Sequence, residues 1–196
     1  LNSKKLWKNY QKHIPNGLSM LRLLLVAPFI FGIYTINTTN YPQNWQIAVT
    51  ALFLSIITSD VLDGFIARKL QFTSVRGAKL DIIADAFYII SSLALFAYLR
   101  IIPAWFVAVI LAKCAEFILT SKIINKKSQN KKGVAVFDKI GKTSISATML
   151  LPGVFLLRNA INYQFVMGVL VYILTITLLI SFLHRIYIII QLKSED

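Results

Sequence analysis

Asp60-Val61-Leu62-Asp63-Gly64-Phe65-Ile66-Ala67-Arg68 and, after an eight-residue gap, Gly77-Ala78-Lys79-Leu80-Asp81-Ile82-Ile83-Ala84-Asp85 decide how this chain is read. Half of its eight acidic residues fall in this window, each beside a strongly apolar stretch. A carboxylate in such surroundings is costly unless a cation compensates it, so the four aspartates mark a functional site. If the flanking segments are helices, Asp60 and Asp63 share one face at i and i+3, and Asp81 and Asp85 share another at i and i+4. Two helices crossing there bring four carboxylates to one point. Two divalent cations would neutralise them, and oxygen-only ligation favours Mg2+, with Mn2+ or Ca2+ behind it, over zinc. A single intramembrane aspartate has a plainer reading, as a helix cap or half of an ion pair; four at these spacings do not.

The surroundings are those of a membrane protein. Of 196 residues, 57% are apolar and the mean hydropathy is +0.67, whereas soluble domains hold roughly 45–50% apolar residues. The formal charge of +13 punctuates apolar spans and forms no soluble basic face, so topology and anionic lipid explain it better than nucleic acid. The lone Cys114 lies in an apolar run and excludes a disulfide framework within a monomer. His13 and His184 have no metal-ligand spacing to any partner.

In chain order, residues 1–13 predict an amphipathic helix in the headgroup layer, with Leu6, Trp7 and Tyr10 among lysines. No small-x-small cleavage site follows, so the segment reads as retained. Residues 14–196 then form one membrane domain of six predicted spans: 17–36, 46–69, 77–99, 104–124, 137–157 and 164–190. The connection at 37–44 is uncharged, with an Asn-x-Thr sequon at Asn37, and Tyr41 and Trp45 suit the far interface. Ile101-Ile102-Pro103 reads as a tight turn, and Lys126–Lys132 as a lysine-rich cytoplasmic loop. Under this topology all Lys and Arg except Arg100 and Arg158 collect on the cytoplasmic side. Asp60 then lies roughly 13 Å inside the cytoplasmic end of its helix, level with Asp81 and Asp85.

The string Asp-x2-Asp-Gly-x2-Ala-Arg-x8-Gly-x3-Asp-x3-Asp resembles the signature of the CDP-alcohol phosphatidyltransferase family at every fixed position. That resemblance implies CDP-diacylglycerol as donor, a homodimer, and two divalent cations, Mg2+ or Mn2+. It implies Asp60, Asp63 and Asp81 as metal ligands, and Asp85 as a ligand that is also the general base on the acceptor hydroxyl, whose oxygen attacks the β-phosphorus and expels CMP. Gly64, Ala67 and Gly77 keep bulk away from the donor nucleotide, and Arg68 offers a planar fork to phosphate oxygens. Close helix packing alone is the plainer reading of the small residues.

His13-Ile14-Pro15-Asn16-Gly17-Leu18-Ser19-Met20-Leu21-Arg22 is similar to the Pro-Asn-x-x-[Thr/Ser]-x-x-Arg opening of bacterial phosphatidylglycerophosphate synthases. Residues 112–117 and 138–143 resemble, more loosely, two further stretches of those enzymes. Ile82 and Ala86 depart from that subgroup, where Pro and Lys are usual. The expected acceptor is glycerol 3-phosphate, contacted by Arg22, Lys79, Lys113, Lys139 and Lys142 at the cytoplasmic mouth. Serine, inositol phosphate and phosphatidylglycerol stay open as acceptors. Lys113 and Glu116, at i and i+3, have an ion pair as their plainer reading. A transporter lined by the aspartates is the rival of a different class, but transport sites favour the midplane and broken helices or internal repeats, which the sequence lacks.

Overall fold

The computed structural model describes residues 14–39, 43–70, 75–127 and 139–194. Every regular element among them is an α-helix: α1 Ile14–Thr38, α2 Gln43–Leu70, α3 Val75–Tyr98, α4 Ala104–Lys127, α5 Lys139–Thr148, α6 Leu151–Leu156 and α7 Tyr163–Ser194. A backbone in hydrocarbon must satisfy its own polar groups, and a helix does so within one segment. Four segments are long and apolar enough to cross a bilayer: Gly17–Thr38, Asn44–Ile66, Lys79–Tyr98 and Tyr163–Tyr187. Among the described residues the chain is all-α, and its long apolar helices are those of a membrane protein. The predicted interfacial helix at 1–13 and residues 128–138 of the lysine-rich connection lie outside the described residues.

The helices group into two compact units, Leu1–Leu95 and Phe96–Asp196. In the first, α1 buries Val26, Phe29, Ile33 and Ile36, a helical stripe, and α2 buries Val49, Phe53 and Ile56. The two backbones approach closely where Gly32 meets Val49: a Cβ on Gly32 would run into the Val49 side chain. Phe29 is the hub, its ring centroid 6.2 Å from that of Phe53 and 5.8 Å from that of Tyr88 on α3.

The tight turn expected around Ile101 is present, and it is closed by an arginine. Arg100 adopts a left-handed φ of 57°, its N–H donating to the Ala97 carbonyl at 3.1 Å and that of Ile101 to Phe96 at 2.8 Å. These bonds satisfy carbonyls that the end of α3 would leave open, and Pro103 forbids continuation.

In the second unit α4, α5 and α6 each pack on α7, with the Phe96 and Phe155 rings 5.4 Å apart. Here the structure differs from the sequence expectation. The predicted span 137–157 is two short helices, α5 and α6, separated at Met149–Leu150. Pro152 causes the break, since it stands in the first turn of α6, where a missing N–H is harmless, whereas within a continuous helix its ring would strike the Thr148 carbonyl. The interruption is satisfied locally, Met149 N–H donating to Ser146 at 3.2 Å and Leu150 N–H to Ala147 at 3.1 Å. Phe165, Tyr172, Ile176 and Leu183 of α7 are exposed, an apolar surface that suits lipid.

Candidate active site

α2 carries Asp60 and Asp63 one turn apart, and α3 carries Asp81 and Asp85 one turn apart. α2 and α3 bring Asp60, Asp81 and Asp85 together, with one carboxylate oxygen of each within 4.8 Å of the others. Their side chains are about a third exposed, at 33%, 39% and 29%, so the trio opens outward. Asp63 is buried and its Oδ2 accepts from the Ser19 hydroxyl of α1 at 2.7 Å.

Arg22, two turns into α1, ties the carboxylates together. Its side chain is fully buried, with Nη2 3.2 Å from Asp60 and 4.0 Å from Asp63. Nη1 lies 3.2 Å from Asp81 and is also hydrogen-bonded to Asp85. Among the described residues, one guanidinium faces four carboxylates. An oxygen-only donor set of this kind, open on one side, fits hard divalent cations.

The remaining residues singled out from the sequence are less gathered. Gly64 and Gly77 are half-buried on α2 and α3, and Lys79 is exposed. The side chains of Ala67, Arg68 and Lys139 lie outside the description, although their backbones belong to α2 and α5. Lys142, on α5, is exposed.

Lys113 is buried in α4, its Nζ 2.7 Å from Glu116 Oε2, which is the plainer of the two readings its spacing allowed. The sequence reading missed the third member of this cluster. Arg185 of α7, 1% exposed, places its Nε 3.2 Å from Glu116 Oε1 and its Cζ 5.0 Å from the centre of the Phe117 ring. Thr120 adds a hydroxyl to the same Glu116 oxygen at 3.2 Å. Among the described residues, Glu116 thus faces two buried cations at once. The available signal was an arginine inside a long apolar helix, a placement that carries function or pairing by default.

Relatives of known designation agree with this chemistry. A Bacillus subtilis protein named CDP-diacylglycerol--glycerol-3-phosphate 3-phosphatidyltransferase is 27% identical over 155 residues, covering 75% of this chain and 78% of that one. A Streptomyces coelicolor cardiolipin synthase (CMP-forming) is 37% identical, over 58% of this chain and 52% of its own length. A Pseudomonas fluorescens protein with the same name as the Bacillus one is 36% identical, over 42% of this chain and 40% of its own length. The chain thus spans about half the length, or less, of the latter two relatives. The model of the CDP-alcohol phosphatidyltransferase family matches residues 12–182, which takes in both aspartate helices and Arg22, and the chain belongs to that family.

Proposed function

We propose that the protein transfers the phosphatidyl group of CDP-diacylglycerol to glycerol 3-phosphate, releasing CMP. The observation that carries the reading is the meeting of Asp60, Asp81 and Asp85 from two helices within 4.8 Å, inside an unbroken family signature. Asp60, Asp63, Asp81 and Asp85 hold two divalent cations, Mg2+ or Mn2+ by the oxygen donor set. When bound, the cations offset the charge of the donor diphosphate and of the leaving phosphate oxygen. Asp85 takes the proton from the acceptor hydroxyl, and the freed oxygen attacks the β-phosphorus in line with departing CMP. Gly64, Ala67 and Gly77 leave room for the nucleotide, and Arg68 pairs with phosphate oxygens.

A dianionic acceptor calls for cations. In this reading a phosphorylated acceptor is met by the lysines Lys79, Lys113, Lys139 and Lys142. The Streptomyces relative's name favours a second reading, with phosphatidylglycerol as the acceptor. Six spans, an interfacial helix over 1–13, a membrane domain over 14–196, a cytoplasmic site and a homodimer complete the proposal. Positive-inside charge supports the orientation.

Purified protein in lipid micelles, given CDP-diacylglycerol and Mg2+, is expected to release CMP fastest with glycerol 3-phosphate in a panel that includes serine, free inositol, inositol 1-phosphate and phosphatidylglycerol. EDTA abolishes the release. Preference for a non-phosphorylated small alcohol would sink the acceptor assignment alone; no CMP with any acceptor would sink the transferase reading.

A further inference from the structure

Arg22 faces all four aspartates at once from a fully buried position. Its Nε is buried and makes no hydrogen bond among the described residues, so the guanidinium is held there by the carboxylates rather than by a wider network. Removing such an ion from water is unfavourable unless its charge is well matched, and here the match is supplied by Asp60, Asp81 and Asp85, the same three carboxylates whose oxygens converge. A divalent cation drawn to that trio needs the same oxygens. It also meets the positive charge of the guanidinium at close range, where the repulsion is only weakly screened.

We infer that Arg22 is a tethered counter-charge that competes with divalent cations for Asp60, Asp81 and Asp85, a statement that rests on the cation reading above. Arg22 is therefore a positioning residue. It keeps the two aspartate helices together when cations are scarce, and cation binding draws the carboxylates away from it. Reciprocity follows: whatever stability Arg22 gives the cation-poor protein beyond what it gives the cation-loaded one, it subtracts from cation affinity.

The experiment uses the full chain in detergent with Mn2+ as probe, free Mn2+ being followed by its paramagnetic resonance, and thermal unfolding measured in EDTA and in excess Mn2+. Arg22→Met is expected to bind Mn2+ at least about 5-fold more tightly than wild type, the low end of ordinary coupling between sites. Its melting temperature should fall in EDTA and recover most of the loss in Mn2+. Arg22→Lys, with a shorter compact charge in place of the fork, should tighten Mn2+ binding by less, and it carries the test by itself if Arg22→Met does not fold. A purely structural arginine would lower the melting temperature equally in both conditions. That result, or unchanged or weakened Mn2+ binding in either variant, overturns the inference while the cation reading stands. A wild-type chain that takes up no Mn2+ overturns both.

Discussion

Asp85 and Asp63 occupy one motif but meet different surroundings, and substitutions should separate them. Asp85 is part of the open trio, whereas Asp63 is buried against Ser19. With Asp85 as the base, Asp85→Asn is expected to lower turnover at least about 100-fold, the low end of a general base's contribution, while donor binding persists. Retention of more than a tenth of the wild-type rate at saturating Mg2+ would remove the base role. In the second unit Glu116 answers both Lys113 and Arg185. Glu116→Gln should therefore cost about 3–5 kcal/mol of stability, because two buried cations each lose an ion-pair partner; a melting temperature within a degree or two of wild type would contradict the buried cluster. The aspartate pairs were legible from their i, i+3 and i, i+4 spacing alone. Arg22 as their partner was not, since it precedes Asp81 and Asp85 by 59 and 63 residues and only packing of α1 brings it there. Arg185 escaped for the same reason, its partner lying on α4.

Between elements, the α1–α2 contact depends on Gly32, whose missing Cβ admits the Val49 side chain. Gly32→Ala is expected to destabilise the protein by about 1–3 kcal/mol, as overpacking does, and Val49→Ala in the same chain should restore much of the loss. Thermal unfolding of the two single variants and the double variant checks this; strict additivity would show that the two sites do not touch. Helix positions were readable from hydropathy, and α1, α2, α3 and α7 all contain a segment able to cross a bilayer. The division of the fifth apolar stretch into α5 and α6 was hidden because hydropathy continues across Pro152, and it is backbone stereochemistry that decides there.

For the whole molecule, the proposed six-span topology would put both termini and the 126–132 loop on the cytoplasmic side. In a Cys114→Ser background, Thr39→Cys should react with an impermeant thiol reagent added to intact cells and Ser128→Cys should not; equal labelling would defeat the topology. Charge distribution is what argues for this proposed orientation, whereas association into a dimer has no comparable mark in a single sequence. The interrupted fifth stretch also bears on the bilayer itself. Ile140–Leu156 spans at most roughly 25 Å even if its two helices were continuous, against roughly 37 Å for Tyr163–Tyr187, at the usual helical rise, and a hydrocarbon film is roughly 30 Å thick. If both cross the same film, the long helix must lean and the lipid beside the short pair must thin, at a cost that grows with every ångström of mismatch. An enzyme that builds phospholipid would then be sensitive to the thickness of its own product: turnover in vesicles of graded acyl-chain length should peak at shorter chains and fall as the bilayer thickens.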